Sequence, residues 1–208
     1  MALIAKSTGG TVNFEPIPEG VHIARCCGLV DLGMQYSEKF DKSSHKAIIM
    51  WELVDEKYVN DEGEEKCRTM SKEYTLSLHE KSALTKVLEA WRGAKFTEEE
   101  LAGFDLNKIL GKPCQIQVIH TVKGDNTYSN IAAIMALPKG MKVDAPTETL
   151  VYDLDDAKAV ENIVLLPEWI QKKVMESETW KEKTKNTVNA SQGNHNTAPD
   201  DDSDSFPF

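Results

Sequence analysis

The chain has 208 residues, with 24 Lys and Arg against 34 Asp and Glu and a formal net charge of −10. This length fits one ordinary domain with an extension, or two very small domains. No stretch approaches the roughly 18 uninterrupted apolar residues of a membrane span, and residues 1–11 lack the apolar segment of a secretory signal. We therefore expect a soluble protein with no membrane partner that stays in the compartment where it is made.

The cysteine pattern argues against a disulfide framework and against a zinc site. The four cysteines contain no C-x-x-C pair; they are Cys26, Cys27, Cys67 and Cys114. Such spacing is typical of reduced thiols in an intracellular protein. We expect no metal and no cofactor.

The charge is distributed unevenly along the chain. Residues 1–65 carry 6 basic and 12 acidic side chains, residues 66–143 carry 12 and 8, and residues 144–208 carry 6 and 14. Phosphate groups respond to the local field within a Debye length of about 8–10 Å. The negative net charge therefore does not exclude nucleic acid, although the lysines of the middle third also fit a merely solvated surface.

Three strands are predicted in the first part of the chain. Apolar-rich runs at 21–30 and 45–54 indicate the first two strands. The alternating run 66–78 indicates the third, paired with the second across a turn at 60–63. The polar residues 31–45 between the first two strands predict a loop.

A helix is predicted after the third strand. Ser77 and Glu80 match a capping box at its start, and Gly93 is placed to end it. An apolar stripe at helical spacing lies between them and comprises Leu84, Val87, Leu88 and Trp91. We assign Trp91 to the core because it lies on this stripe.

The following residues predict two short helical turns and a second pair of strands. The first is a short capped turn at 97–100, and the second lies at 105–110. The strands lie at 114–122 and 127–137, and residues 123–126 are a hairpin turn signal between them.

One helix between the third and fourth of five strands is the arrangement of the OB-fold, a small barrel. Closure of the sheet would leave no strand edge open. We predict a mainly β chain with a five-stranded OB-fold barrel over 20–143, and an open antiparallel sheet packed on one helix as the alternative. An arm precedes it at 1–19, a partly helical extension follows at 144–185, and a disordered acidic tail occupies 186–208.

The extension contains one further helical pattern. Pro167 suits a first helical position, and Trp169, Ile170 and Val174 fall on one narrow stripe behind it. We expect this stripe to pack on the barrel or on a partner.

The tail ends in an unusual combination of acids and rings. Its candidate partner-binding residues are Asp200, Asp201, Asp202, Asp204, Phe206, Pro207 and Phe208. Such an arm can insert a terminal ring into an apolar pocket while its carboxylates meet basic residues around it. The alternative is a tail that only improves solubility.

These last residues resemble the acidic tip of bacterial single-stranded DNA-binding proteins, which typically ends Asp-Asp-Asp-Ile-Pro-Phe, with Phe206 here in place of the aliphatic residue. The body is similar to phage-encoded single-stranded DNA-binding proteins with an OB-fold at 72–82, 91–93, 111–114 and 128–138. The resemblance implies that the chain coats single-stranded DNA during replication, recombination and repair in the cytoplasm of an infected bacterial host. It also implies that the tip recruits replication and recombination proteins.

Single-strand binding without sequence preference requires cations for the phosphates and aromatic faces for the bases. In an OB-fold these lie on strands two and three and on the loops between strands one and two and strands four and five. The predicted DNA-binding residues, with Lys42 beside them, are Arg25, Tyr36, Lys39, Phe40, Lys46, Trp51, Arg68, Lys72, Tyr74, Lys123 and Tyr128. Trp51 and Tyr74 also fit a core role. Trp51 shares its strand face with Ile49 and Leu53, and Tyr74 shares its face with the apolar Met70 as well as with Lys72.

Catalysis fits the sequence poorly, and we expect no enzyme. The five histidines form no H-x-x-x-H or H-E-x-x-H pattern, and the chain contains no P-loop, G-x-S-x-G or G-x-G-x-x-G. The acidic residues at 55–65 are typical of a solvated hairpin tip. The alternatives to a single-stranded DNA-binding protein are a strand-annealing recombinase and a protein-interaction module that binds no nucleic acid. The oligomeric state stays open between monomer and dimer.

Overall fold

The computed structural model of the chain describes residues 15–146 and 148–192. Its strands are β1 (Gly20–Ser37), β2 (Lys42–Val59), β3 (Glu65–Thr75), β4 (Pro113–Lys123), β5 (Asn126–Met135) and β6 (Leu150–Tyr152). Its α-helices are α1 (Ala83–Arg92), α2 (Glu98–Ala102), α3 (Ala159–Asn162), α4 (Glu168–Glu176) and α5 (Glu178–Gln192). Two 3₁₀ helices, Leu106–Ile109 and Ile163–Leu165, complete the elements of these residues.

The chain folds into two compact units. The first unit comprises the residues up to Leu29 together with Ile48–Leu150, and the second comprises Val30–Ala47 together with the residues from Val151. The chain therefore passes twice between the units inside the β1–β2 hairpin. Among the described residues, no helix combines the length and the apolar character that a bilayer crossing demands.

The strands form one antiparallel sheet in the order β3-β2-β1-β4-β5, and β6 pairs with β1. The strand-rich fold with a helix between β3 and β4 agrees with the sequence, but the predicted closed barrel is wrong because β3 and β5 remain the two edges of an open sheet. Across these edges, Lys72 Nζ on β3 donates to Ile131 O on β5 at 3.1 Å. A charged side chain thus meets the β5 backbone where a barrel would need a ladder of backbone hydrogen bonds, and charged side chains discourage strand pairing at an edge.

The core of the first unit lies between the sheet and α1. Trp51 on β2 is fully buried, and its ring centroid lies 6.0 Å from that of Trp91 on α1. Trp91 Nε1 donates to Pro113 O at 2.8 Å, so the predicted core role of Trp91 is confirmed. Ile116 and Val118 on β4 pack in the same cluster.

The ends of α1 show one agreement and one correction. Gly93 ends the helix with φ 71°, the left-handed conformation expected of a C-terminal glycine. The helix begins after Ser82, whose Oγ accepts from Thr85 N at 3.1 Å, and not at the predicted box of Ser77 and Glu80. Ser77 instead accepts the Ser82 hydroxyl with its backbone carbonyl. The capped turn predicted at 97–100 is present, as a capping box of Thr97 and Glu100 at the start of α2.

The β1–β2 hairpin is much longer than the sequence indicates. Both strands run for 18 residues, so the predicted loop at 31–45 shrinks to residues 38–41. Val30 and Leu32 are buried in the second unit, which explains why strand structure continues there. Gly33 has φ 69°, and a Cβ at this position would lie 2.8 Å from Leu154 Cδ1, so any other residue here would be strained.

The helices of the second unit follow the predicted pattern in part. Ile170 and Val174 on α4 are fully buried, whereas Trp169 is exposed, so the buried stripe is narrower than expected. Helix α5 extends to Gln192, beyond the predicted start of the tail at 186. The remainder of that tail lies outside the described residues.

Candidate nucleic-acid interface

The first candidate surface is the end of the β1–β2 hairpin, which we define as Tyr36–Lys42 and call the hairpin end. Phe40 is 72% exposed, and the Lys39 ammonium lies 5.4 Å from its ring centroid. Tyr36 is 55% exposed and donates from its hydroxyl to Asp41 Oδ1 at 2.6 Å, which raises the pKa of the tyrosine. Two predicted stacking rings and a predicted cation therefore lie together on one exposed turn of the second unit.

The hairpin end is held in place by the helices of the second unit. Gln35 Nε2 donates to Lys173 O on α4 at 2.9 Å. On α5, Thr179 Oγ1 accepts from Met34 N at 3.0 Å, and Glu178 Oε1 accepts from the hydroxyl of Ser43 at 2.8 Å. Both strands of the hairpin are thus anchored just behind the exposed rings. Lys46 lies on β2 in the same unit and is half-buried.

The second candidate surface is the β4–β5 hairpin of the first unit. Thr121 pairs with Tyr128 and Lys123 pairs with Asn126. Opposed residues of antiparallel strands point to the same face, so Lys123 and Tyr128 share one face of this hairpin. Both are exposed, Tyr128 to 49%. This surface again offers one ring beside one cation.

Two predicted stacking residues are core residues. Trp51 is fully buried and Tyr74 is 3% exposed, so neither ring has a free face for a base, contrary to the prediction. Trp51 points inward with Ile49 and Leu53, its neighbours of the same strand face. The indole N–H of Trp51 and the hydroxyl of Tyr74 lack a hydrogen-bond partner among the described residues. Burial raises the pKa of Tyr74.

Three predicted phosphate ligands are engaged with the protein itself. Arg25 donates from Nε to Glu52 Oε1 and from Nη1 to Asp144 O at 2.7 Å, and both members of the Arg25–Glu52 pair are largely buried. Arg68 Nη2 donates to Glu15 O. Lys72 Nζ, already bonded to the β5 backbone, lies 5.9 Å from the ring centroid of Tyr74. The hydrogen-bonding groups of these cations are thus already engaged within the protein.

The face of β2 and β3, where an OB-fold holds its ligand, carries a pocket of about 630 Å³ that we call the sheet-face pocket. Its charged lining residues are Arg25, Lys66, Glu52, Glu64, Glu65 and Glu148. Carboxylates outnumber cations here, and both cations have carboxylate partners, Lys66 at 3.4 Å from Glu64. This face therefore lacks the expected basic groove. The excess of carboxylates in its pocket favours cationic over anionic ligands.

The chemistry of the sheet-face pocket also gives no sign of a reactive centre. Burial, together with the nearby Glu52 carboxylate, raises the pKa of the Cys27 thiol to about 12, so the thiol stays protonated and unreactive at neutral pH. No group of three or more His, Cys, Asp and Glu side chains suited to a metal ion occurs in the described part of the chain.

A second pocket of the first unit was not foreseen from the sequence. We call it the helical pocket; it has a volume of about 370 Å³ and lies between α1, α2, the 3₁₀ helix Leu106–Ile109 and the start of β4. Phe96 and Phe104 meet edge to face in its wall, with centroids 5.1 Å apart. Arg92 lies 4.9 Å from the Phe96 centroid and Lys108 lies 5.6 Å from the Phe104 centroid. The sequence signal for this pocket was the mixture of cations and rings over 91–112. These residues follow no regular period, so the sequence did not show that they share one surface.

The predicted partner-binding residues of the tip, Asp200 to Phe208, lie outside the described residues. Comparison of the chain with protein-family models, with curated proteins and with solved structures gave no match. The function is therefore inferred from the residues and their geometry alone.

Proposed function

We propose that this chain binds single-stranded DNA without sequence preference during replication and recombination, and that its acidic tip, Asp200–Phe208, recruits partner proteins. The observation that carries the proposal is the hairpin end, where the rings of Tyr36 and Phe40 are exposed and Lys39 lies over Phe40. Exposed rings beside cations are what sequence-independent binding of unpaired strands requires.

The strand order supports the same proposal. The order β3-β2-β1-β4-β5 is the order that an OB barrel would have if it were opened between β3 and β5. In OB-folds the loops between strands one and two and between strands four and five contact the ligand. The hairpin end and the β4–β5 hairpin occupy these two places in the chain, and each carries a ring and a cation.

The proposed contacts avoid the sheet-face pocket. Its carboxylates oppose a polyanion, and its arginine already pairs with Glu52. Binding is thus assigned to Tyr36, Lys39 and Phe40 on one hairpin and to Lys123 and Tyr128 on the other. The sequence-based set of eleven DNA-binding residues is reduced to these five, with Lys42 beside them.

The decisive experiment compares the intact chain with a Phe40→Ala variant. Fluorescent poly-dT oligomers of increasing length are titrated with each protein at two salt concentrations. Removal of one stacking ring costs about 1–3 kcal/mol, so we expect affinity to fall about 5- to 150-fold. Lys39→Gln should weaken binding and reduce the salt slope by about 0.7, the value for one phosphate contact on a single strand.

Trp169→Ala is the matched control, because Trp169 is an exposed ring of the same unit that belongs to α4 and not to the hairpin end. We expect this variant to bind as the intact chain does. Equal affinities for the Phe40 and Trp169 variants, or binding that ignores salt, would refute the assignment of DNA contacts to the hairpin end.

The exposed apolar side chains of the second unit favour one other function, that of a protein-interaction module. Val164 and Leu165 are about 70% exposed, and Trp169, which follows them in the chain, is exposed as well. Under this alternative the intact chain shows no affinity for dT oligomers of any length, even at low salt.

A further inference from the structure

The helical pocket has the walls of a binding site for an aromatic side chain. Its apolar lining comes from Trp91, Phe96, Phe104 and the aliphatic residues Leu88, Ile109 and Pro113. A volume of about 370 Å³ falls within the range of small-ligand pockets, about 300–1,000 Å³. The walls are fixed by hydrogen bonds, since Trp91 Nε1 donates to Pro113 O and Phe96 N donates to Glu89 Oε1 at 3.2 Å.

The rim of this pocket is positively charged. Its charged lining residues are Arg92, Lys108, Lys112 and Glu100, so three cations stand against one carboxylate. Glu100 accepts from Thr97 N and lies 2.9 Å from Arg92, and these hydrogen bonds lower its pKa. It therefore stays ionised and neutralises Arg92. Lys108 and Lys112 have no carboxylate partner among the described residues, so the rim keeps two positive charges for an external anion.

The chain itself contains a segment of the matching chemistry. Residues 200–208 hold four aspartates, two phenylalanines and one proline, and residues 186–208 contain no Lys or Arg. A phenylalanine ring suits an aromatic pocket, and the acids that precede it in the chain suit a cationic rim. We propose that the helical pocket of one copy binds the tip Asp200–Phe208 of a second copy of this chain.

The lining residues favour a peptide ring over a nucleobase. A base carries hydrogen-bonding edges that cost free energy when they are buried without partners. The helical pocket has no Ser, Thr, Asn or Gln among its lining residues, and its one indole N–H is already bonded to Pro113 O. A phenylalanine ring carries no hydrogen-bonding group, so it fits these walls without such a cost.

The proposal is tested on the full chain without DNA, so its failure can be told apart from a failure of DNA binding. Self-association is measured by sedimentation velocity across a concentration series at low salt. A labelled nonapeptide with the sequence of residues 200–208 is titrated separately and followed by fluorescence anisotropy. We expect concentration-dependent association, peptide binding, and competition between the free peptide and association.

Two variants address the two partners of the contact. Phe208→Ala removes the ring of the tip, and Lys108→Glu combined with Lys112→Glu reverses the charge of the rim. Each should weaken self-association at least about tenfold, because a desolvated anchor or its charged surround is lost. Only the rim variant should weaken binding of the added peptide. The Lys108 and Lys112 side chains are exposed, and circular dichroism checks that folding is intact in every variant.

The matched control is Lys139→Glu combined with Lys142→Glu, two exposed lysines of the same unit that do not line the pocket. We expect this pair to associate as the intact chain does. Equal weakening by both lysine pairs would show that only net charge matters and would overturn the proposal. A chain that stays monomeric at every concentration, or peptide displaced by dT oligomers more readily than by unlabelled peptide, would overturn it as well.

Discussion

The sheet-face pocket and the helical pocket belong to the same unit, yet they are opposite in character. In the sheet-face pocket Arg25 is largely buried and pairs with Glu52, and carboxylates dominate the lining. In the helical pocket Arg92 and Lys108 lie over aromatic rings, and cations dominate. The position of a cation on a ligand-binding face therefore says little about its availability. Whether the cation can bind a ligand depends on whether a neighbouring carboxylate already neutralises it.

The largest effect that would test this contrast is expected from Arg25→Met. The substitution leaves the Glu52 carboxylate buried without its partner, which typically costs about 3–5 kcal/mol of the free energy of unfolding. Lys112→Met, on the rim of the helical pocket, should change it by no more than about 0.5 kcal/mol. Urea denaturation of both variants measures the difference.

The double variant Arg25→Met with Glu52→Leu is the control for the first prediction. It should recover most of the lost stability, because the uncompensated charge is removed as well. If Arg25→Met were no more costly than Lys112→Met, the two pockets would not differ in the way described.

A smaller effect is expected from the thiol of Cys27 in the wall of the sheet-face pocket. Burial raises its pKa from 9.0 to about 12, so the folded state keeps a proton that the unfolded state loses above pH 9. Its contribution to stability is complete below pH 9 and is lost as the pH rises towards 12. Between these values the free energy of unfolding should fall with pH in the intact chain more steeply than in Cys27→Ala. The two slopes should differ by about 1.4 kcal/mol per pH unit.

Urea titrations at several pH values in this range, with reductant present, measure that slope. Glu100→Gln in the helical pocket is the control, because its carboxyl group titrates in acid and should leave the alkaline slope unchanged. Identical slopes for the intact chain and the Cys27 variant would mean that the thiol is accessible to water.

The smallest effects concern the two neighbouring indoles and Tyr74. Tyr74→Phe removes a buried hydroxyl without a partner, so stability should stay constant or rise by up to about 1 kcal/mol. Trp51→Phe also removes a polar group without a partner, but it leaves a cavity in the core and therefore lowers stability. Trp91→Phe also loses the bond to Pro113 O and should cost about 1 kcal/mol more than Trp51→Phe. The affinity for dT oligomers should not change in the Tyr74 and Trp51 variants. A weaker affinity in either variant would show that the substituted ring contributes to DNA binding, contrary to its assignment to the core.

Local signals in the sequence were sufficient for the order of the elements. The Gly93 stop, the Thr97 cap and the turn at 123–126 each depend on residues close in the chain, and each is present in the fold. The core role of Trp91 followed from the helical stripe in the same way.

Features that depend on distant residues were not predictable. The open edges of β3 and β5 involve Lys72 and Ile131, far apart in sequence, and the polar strand ends at 31–37 are strands because they pack in the second unit. Met70, Lys72 and Tyr74 share one strand face but differ in polarity, so the pattern did not show whether the tyrosine faces the core or the solvent. Nothing in the sequence near Arg25 indicates that Glu52 and the backbone of Asp144 take up its hydrogen bonds.

The chain passes between the units three times, twice inside the β1–β2 hairpin and once after Leu150, which limits how the protein can be dissected. A truncation after Leu150 would remove α4 and α5 but would leave Val30–Ala47 attached in the middle of the remaining polypeptide. Val30, Leu32 and Ala47, now buried, would then face water on a strand pair without its support. Such a fragment is expected to aggregate, so shortened versions intended for crystallisation or labelling should keep both excursions of the chain.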